Sequence, residues 1–182
     1  MMFRRSIALI LAFAVSTPAA AAGLEMRARR LAPERGIALL QAAMLDAHNR
    51  TRAQLGLRPL SWSPALAGDA AHHAQVLART GRMFHAEQSG GAAWQGENLF
   101  AGTRGSYAYA DMANYWLDER RVFRNRPFPA ISTTGHWQDA AHYAQMVSRD
   151  TTEVGCALAE GQFEDFLVCR YAPGETRGRR AY

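Results

Sequence analysis

Apolar residues recur every three or four positions in the first half of the chain, which is the spacing expected of amphipathic helices. One such run extends from residue 37 to about residue 55, and Gly56 stops it. Pro33, with Glu34 after it, favours a helix start just before this run. A second run continues to about Thr80, and it is preceded by Ser63 and Pro64, which favour a helix cap and a first helical position. The pattern therefore predicts two helices joined by a short extended piece.

The second half of the chain begins with a third helical run and then changes to a period of two. The third helix is predicted to start at about Tyr107 and to include Glu119. Alternation of side chains then predicts three extended segments at 142–148, 153–159 and 164–171. Three helices around a three- or four-stranded, mainly antiparallel sheet predict an α+β fold, layered as an α-β-α sandwich, with no second domain.

The first residues have the composition of an export signal. Arg4 and Arg5 precede an apolar run at 7–15, and residues 20–22 are alanines that suit signal peptidase. The apolar run is too short to span a bilayer comfortably, although a retained N-terminal anchor is the alternative. We therefore predict a signal peptide at 1–22 and a secreted or periplasmic protein without a transmembrane segment.

The remaining chain divides into a flexible N-terminal segment at 23–36, one domain at 37–174 and a basic C-terminal tail at 175–182. All 21 basic residues are arginine, and loss of the signal peptide leaves 19 of them against 16 acidic residues. Basic ends could touch lipid headgroups or nucleic acid, but solvated termini are the preferred interpretation. The sequence has no zinc finger, RNA-binding signature or phosphate-binding glycine loop, so no specific nucleic-acid partner is predicted.

The two cysteines, Cys156 and Cys169, lie on either side of a predicted hairpin connection at 160–164. Facing positions on antiparallel strands can come close enough to form a disulfide, which is the default in an exported protein. We predict this pairing. A catalytic thiol is the weaker alternative, because no activating base is evident near either cysteine.

Four ionisable residues stand out because they lie in otherwise apolar or aromatic surroundings: His85, Glu97, Glu119 and His142. Imidazole and carboxylate groups are ligands for Zn²⁺ and are also the common groups of acid–base catalysis. A single histidine is more often a hydrogen-bonded structural group than a metal ligand. Together the four residues predict a divalent-metal or acid–base site, if the fold brings them into one cleft.

Four segments of the chain resemble signatures of the CAP superfamily, which comprises cysteine-rich secretory proteins, antigen 5 and pathogenesis-related 1 proteins and is defined by an SCP domain. In the order of the family they are His48-Asn49-x-x-Arg52 with the segment 60–66, Gly96-Glu97-Asn98-Leu99, His142-Tyr143-x-Gln145-x-Val147 before Gly155-Cys156, and the segment 166–173. The resemblance covers residues 39–173. With one possible disulfide, the chain is interpreted as a bacterial member of the superfamily.

This resemblance implies an α-β-α sandwich with a large central cleft lined by two histidines and two glutamates. By position these residues are His85, Glu97, Glu119 and His142, which form the predicted metal site. His136 is an alternative for the last histidine, but the spacing to the downstream Gly-Cys pair favours the later residue.

Other polar residues of the matched segments are interpreted as supporting or structural. Three are predicted to support the cleft: Tyr143, Gln145 and Asn98. Three more are predicted to satisfy backbone groups in turns and at helix ends: His48, Asn49 and Arg52. The chain departs from the family's pattern at three places: Ala141, Ser148 and Gly174-Glu175. These departures concern the cleft wall more than the fold.

Two histidines and two carboxylates suit Zn²⁺, with water completing its coordination. The resemblance implies non-catalytic binding of a small apolar or lipid-like ligand, such as a sterol or a fatty acid, which is the first hypothesis. The alternatives are a metal-dependent hydrolase of peptides or cell-envelope polymers and a protein-interaction module without a ligand. The sequence contains no HExxH pair and no nucleophile–base–orienter set, so no catalytic residue is assigned. It leaves the ligand's identity and the oligomeric state open.

Overall fold

The first helix of the domain begins at Ile37, four residues after the start predicted at Pro33, and it covers the predicted apolar run. The computed structural model describes residues 32–88, 94–174 and 178–182, and the predicted signal peptide lies outside these described residues. Helix α1 spans Ile37–Gln54. Its buried side chains are four residues apart and form one stripe along the helix: Leu40, Met44, His48 and Arg52. The stripe explains why apolar periodicity was sufficient to predict this helix.

Helix α2 spans Pro64–Thr80 and lies very close to the central sheet. Its inward face is built mainly of small side chains such as Ala74, which is fully buried. The approach is so close that a Cβ atom on Gly155 of the sheet would lie 2.2 Å from the backbone nitrogen of Ala67. The helix ends at Gly81, whose φ of 61° is left-handed and suits glycine.

Four strands form one mixed sheet. Strand β1 is Ser61–Trp62, β2 is Gly96–Thr103, β3 is Glu153–Glu160 and β4 is Glu164–Ala172. Their order across the sheet is β1-β3-β4-β2. The short β1 pairs in parallel with β3, and the other neighbours are antiparallel.

Helices cover both faces of this sheet and make three layers. Helix α2 covers one face, where it packs against Phe166 and Val168 of β4. Helix α1 and helix α3, at Tyr109–Asp118, cover the other face, where they pack against Leu167 and Tyr171. Successive residues of β4 therefore enter two different apolar layers, which is why this strand has no polar face. The predicted α+β fold with α-β-α layering is confirmed.

One segment predicted as a strand is a helix. Residues 142–148 were expected to be extended, but a 3-10 turn at Trp137–Ala140 leads into helix α4 at Ala141–Met146. Residues 143–146 are all buried, so the segment has no exposed face from which a period could be recognised. The prediction of a strand was therefore wrong, and His142 lies in the first turn of α4.

The predicted disulfide joins Cys156 of β3 to Cys169 of β4. The two residues are directly opposed in the register of the hairpin, and their Cα atoms lie 4.1 Å apart. Both side chains are fully buried in the layer between the sheet and helices α1 and α3. The bridge is therefore part of the core.

Residues at both ends of the described domain contact its core. Arg35 pairs with the fully buried carboxylate of Asp165 at 2.8 Å, because a buried carboxylate needs a cation. Near the C-terminus, Ala181 is 2% exposed, and the side chain of Asn125 hydrogen-bonds the backbone of Tyr182. In the described ranges no helix is long and apolar enough to cross a membrane.

Candidate functional site

Two histidine–glutamate pairs form the candidate site. His85 donates its Nδ1–H to Oε1 of Glu97 over 2.7 Å, and His142 donates its Nδ1–H to Oε1 of Glu119 over 2.5 Å. An ionised carboxylate only accepts hydrogen bonds, so the proton of each neutral ring lies on Nδ1 and its Nε2 is unprotonated. We call the pair that contains His85 the first clamp and the pair that contains His142 the second clamp.

Each glutamate also binds the backbone next to its histidine. In the first clamp, Oε1 of Glu97 accepts the N–H of Ala86 at 3.1 Å. In the second clamp, Oε2 of Glu119 accepts the N–H of Tyr143 at 3.0 Å. In both cases the donor is the residue directly after the histidine. One carboxylate therefore fixes both the ring and the main chain of its histidine.

The four side chains come from the ends of regular elements. His85 follows α2, and Glu97 is the second residue of β2. Glu119, predicted on the third helix, begins the 3-10 turn that continues α3. The ring of His142 stacks on that of Trp116 from α3, with centroids 6.1 Å apart and planes 21° apart. The second clamp is thus held against the core by an aromatic contact as well as by its hydrogen bonds.

Glu97 lies in the protein interior and takes part in a second ion pair. Its Oε2 lies 2.9 Å from Nη2 of Arg170 and 3.9 Å from Nε2 of His73. Burial acts to raise the pKa of Glu97. The hydrogen bond from His85, the charge of Arg170 and the N–H of Ala86 outweigh burial, and the pKa is lowered. The carboxylate of the first clamp is therefore held in its ionised form.

Both histidines line one cavity of about 300 Å³, which we call the cleft. Three aromatic side chains form part of its wall, and we call them the aromatic rim: Trp94, Phe128 and Trp137. The two tryptophans are 42% and 40% exposed. Phe128 packs edge-on against Trp137 with ring centroids 5.1 Å apart. The cleft thus combines two imidazoles with a partly exposed apolar wall.

The three residues predicted to support the cleft lie around it. Asn98 donates from Nδ2 to the carbonyl oxygen of His142 over 3.1 Å. Gln145 lines the cleft and donates from Nε2 to Oγ1 of Thr151 over 3.1 Å. Tyr143 is buried and supplies the backbone donor of the second clamp. These contacts connect α4 to β2 and to the segment after α4.

The four predicted site residues come together as two pairs. Three of them line the cleft, whereas Glu119 reaches it only through His142. His136, the alternative histidine, is exposed and does not line the cleft. Within the described part of the chain, no three His, Cys, Asp or Glu side chains are grouped closely enough to hold a metal ion. Nδ1 of each cleft histidine is hydrogen-bonded to its glutamate, so Nε2 is the ring nitrogen that remains for another ligand.

Two features of this site were missed by the sequence analysis. Arg170 supports Glu97, and the signal for it was a charged residue inside the apolar run of β4, which is typical of a buried ion pair. The aromatic rim was missed because its three residues come from separate segments without a common motif.

His48, Asn49 and Arg52 have the structural roles predicted for them. His48 donates its Nδ1–H to the carbonyl oxygen of Met44 over 2.7 Å. Asn49 binds both the N–H and the carbonyl oxygen of Leu60. The Arg52 guanidinium donates to four backbone carbonyl groups: those of Arg58, Met146, Ser148 and Thr151. The hydrogen bonds of Asn49 and Arg52 connect α1 to the segment that follows it, to α4 and to the residues after α4.

An α-β-α sandwich with two histidine–glutamate pairs at one cleft defines a class of protein, and comparison with known proteins identifies it. The sequence profile described as "CAP: Cysteine-rich secretory protein family" matches residues 45–171. The chain belongs to this family, as the four sequence motifs predicted.

Relatives of known identity agree with this assignment. The chain is 32% identical over 144 residues to Pathogenesis-related protein 1A of Nicotiana tabacum, covering 78% of this chain and 80% of that protein. It is also 32% identical over 142 residues to Pathogenesis-related protein PRMS of Zea mays, covering 76% and 80%.

Solved structures show the same fold. The crystal structure of NaASP2 with Zn²⁺ aligns with a TM-score of 0.65 at 19% identity, over 84% of this chain and 88% of that chain. The structure of Hookworm Platelet Inhibitor aligns with a TM-score of 0.62 at 18% identity, over 84% and 81%. At these identities the similarity is one of fold.

Proposed function

We propose that this protein is exported and that its cleft binds Zn²⁺ through His85 and His142 and accepts a small apolar or lipid-like ligand. The two clamps carry this proposal, because they leave both Nε2 atoms unprotonated beside one cavity. Zn²⁺ binds imidazole nitrogen and often keeps water at open positions. A two-histidine set therefore fits this ion, with water as the remaining ligands.

In this proposal the glutamates orient the histidine rings and do not bind the metal themselves. A carboxylate on Nδ1 orients an imidazole and makes its Nε2 a stronger donor to a metal. Glu97 and Glu119 are both engaged in this way, so this role replaces direct coordination by all four residues. A bound Zn²⁺ would supply Lewis-acid polarisation to a group in the cleft. NaASP2, a protein of the same fold, was crystallised with Zn²⁺, and this ion is therefore the one to test first.

The aromatic rim supports an apolar ligand. The cleft, at about 300 Å³, lies at the small end of ligand pockets, which run from roughly 300 to 1,000 Å³. Trp94 and Trp137 leave much of their indole surface in contact with solvent, and a ligand that covers them would gain hydrophobic free energy. A small apolar body with one polar group that reaches an imidazole matches this wall.

Export is supported by three observations. The N-terminal sequence has the pattern of a signal peptide, the protein has a disulfide, and its family is named for secretory proteins.

The hydrolase alternative has less support from the site. A metal-dependent hydrolase usually needs a carboxylate that is free to act as a base toward a bound water. Both glutamates of the site are already hydrogen-bonded to a histidine ring and to a backbone N–H. The two serines near histidines in the sequence, Ser132 and Ser148, do not line the cleft.

Elemental analysis of the purified protein tests the metal site. We expect about one zinc per chain in the wild type and loss of this zinc in both His85→Ala and His142→Ala. His136→Ala is the matched control, because His136 is exposed and lies outside the cleft. Zinc that is retained in both cleft variants would overturn the metal proposal.

Binding of fluorescent sterol and fatty-acid probes tests the ligand. Trp137→Ala should weaken binding at least about fivefold, because an aromatic contact contributes about 1 kcal/mol beyond burial of its area. Phe163→Ala is the control, since Phe163 is 75% exposed in the turn between β3 and β4. If neither probe binds the wild type, the apolar-ligand proposal fails, whatever the zinc content.

A further inference from the structure

Five arginines lie in three segments that hydrogen-bond to one another near the cleft, and we call this group the arginine surface: Arg124, Arg126, Arg149, Arg179 and Arg180. All five are exposed. They come from three segments that are distant in sequence, at 123–131, 147–151 and 178–182. Two of these arginines belong to the basic C-terminal residues and lie exposed beside the buried Ala181.

Backbone hydrogen bonds hold the three segments together. The N–H of Phe128 donates to the carbonyl oxygen of Arg179 at 3.2 Å, and the N–H of Arg149 donates to that of Ala181 at 2.6 Å. The Asn125 side chain binds the backbone of the last residue. These contacts hold the segments that carry the arginines next to one another.

The three segments that carry these arginines contain few negative charges to balance them. Asp150 is the one acidic side chain in the three segments, and it pairs with Arg179 at 2.8 Å. Among the described residues, no carboxylate lies within ion-pair distance of the four other arginines. Within the described ranges these four exposed guanidinium groups therefore have no ion-pair partner. A guanidinium is well suited to bind two phosphate oxygens at once.

The arginine surface is continuous with the aromatic rim of the cleft. Arg126 is two residues from Phe128, whose ring packs against Trp137. Trp137 is 40% exposed, and the intervening Pro127 and the following Pro129 are exposed as well. A basic surface bordered by exposed aromatic side chains has the composition of an element that lies at a membrane–water interface.

We propose that the arginine surface docks this protein on an anionic phospholipid membrane, with Phe128 and Trp137 in the interfacial layer. Nucleic acid would also attract arginine, but the apolar border formed by Pro127, Pro129 and Trp137 favours lipid. Docking by this face would place the mouth of the cleft against the bilayer, which is a source of apolar ligands. The docking step goes beyond the proposed cleft function and requires neither zinc nor a bound ligand.

Vesicle sedimentation with the full mature chain tests the proposal. We expect binding to vesicles of phosphatidylcholine with 30% phosphatidylglycerol, and little binding to phosphatidylcholine alone. Each arginine at an anionic surface changes partitioning about fivefold, so Arg126→Gln with Arg180→Gln should weaken binding about 20-fold. Raising the salt from 0.1 M to 0.5 M should weaken binding of the wild type as well, because salt screens exposed charges.

The matched control is Arg50→Gln with Arg79→Gln, which removes the same charge from exposed positions outside the three segments. It should bind anionic vesicles within twofold of the wild type. Equal loss in both double variants, or equal binding to neutral vesicles, would overturn the proposal. Tighter binding of a 20-base-pair DNA or of heparin than of anionic vesicles at the same salt would also overturn it.

Zinc content separates this proposal from the cleft function. The double variant Arg126→Gln with Arg180→Gln should keep the zinc of the wild type, and His142→Ala should keep vesicle binding. Failure of docking would therefore leave the metal site standing, and failure of the metal site would leave docking standing.

Discussion

Glu97 and Arg170 occupy directly opposed positions in strands β2 and β4, and their charged groups approach to 2.9 Å inside the protein. The side chains are 4% and 6% exposed. Because Glu97 also accepts the hydrogen bond from His85, the first clamp is anchored to the centre of the sheet through this ion pair. The stability of the fold and the orientation of His85 therefore depend on the same carboxylate.

Replacement of Arg170 should destabilise the protein strongly. Arg170→Met leaves the buried carboxylate of Glu97 without its cation, and we expect a loss of about 3 kcal/mol in the free energy of unfolding. Urea denaturation measures this loss. Arg104→Met is the control, because the ion pair of Arg104 with Glu160 is about half exposed and should contribute less than about 1 kcal/mol. Equal effects of the two substitutions would contradict the assignment.

The glutamates should tune zinc affinity without being ligands. Glu97→Gln and Glu119→Gln retain an oxygen that can accept from Nδ1 but lose the negative charge, and each should weaken zinc binding about tenfold. Competition with a chromophoric chelator at neutral pH measures the affinity. Glu160→Gln, at an exposed position away from the cleft, should leave it unchanged. Complete loss of binding in either glutamate variant would instead indicate direct coordination.

His48 should make the protein less stable in mild acid. Burial lowers the pKa of His48 from 6.5 to about 4, with the nearby Arg52 charge acting in the same direction and the hydrogen bond to the Met44 carbonyl acting against it. Between these two pKa values, His48 is protonated in the unfolded chain and neutral in the folded chain. The stability contributed by neutral His48 is complete above pH 6.5 and is lost as the pH falls toward 4.

The expected slope is about 1.4 kcal/mol per pH unit within this window. Urea unfolding between pH 4.5 and 7.5 measures it. His48→Asn should reduce the slope, whereas His72→Asn, which changes an exposed histidine of α2, should retain it. An identical slope in the wild type and in His48→Asn would show that other groups cause the acid sensitivity.

The disulfide should contribute substantially to stability. Cys156 and Cys169 are separated by 13 positions, and the chain-entropy estimate for a loop of this size is about 3 kcal/mol. Reduction with dithiothreitol should lower the urea midpoint of the wild type accordingly. A variant with alanine at both positions should not respond to the reductant. A reductant effect of the same size in that variant would rule out the bridge as its cause.

The C-terminal residues should behave as part of the core. Ala181→Asp places a carboxylate where the native side chain is 2% exposed, and we expect a loss of at least about 2 kcal/mol. Ala130→Asp is the control, because Ala130 is exposed in the neighbouring segment. Thermal unfolding compares the two variants. If Ala181→Asp is as stable as the control, the end of the chain does not pack as described.

The sequence predicted those elements in which one pattern dominates. Helix α1 has a single buried stripe, and the hairpin of β3 and β4 has strong apolar strands on either side of a polar turn. Helix α4 was not predicted from its sequence pattern, because residues 143–146 are all buried and include the polar Gln145. The burial of Ala181 could not be predicted in this way either, since alanine is small and gives no hydrophobic signal on its own.

The candidate site was predictable as a set of residues but not as an arrangement. Motif resemblance named His85, Glu97, Glu119 and His142, yet it could not indicate which carboxylate binds which ring. That pairing depends on where the end of α3 meets the start of α4 and where β2 meets the segment after α2. These are tertiary contacts between segments that are distant in sequence, and they leave no local sequence pattern.

Each glutamate carboxylate accepts a hydrogen bond from a backbone N–H as well as from a histidine ring. The main chain at residues 86 and 143 is therefore held even without the imidazole. A variant without either histidine would keep this backbone hydrogen bond, whereas a variant without the corresponding glutamate would lose it. The main-chain path beside the cleft therefore depends on the two glutamates rather than on the two histidines.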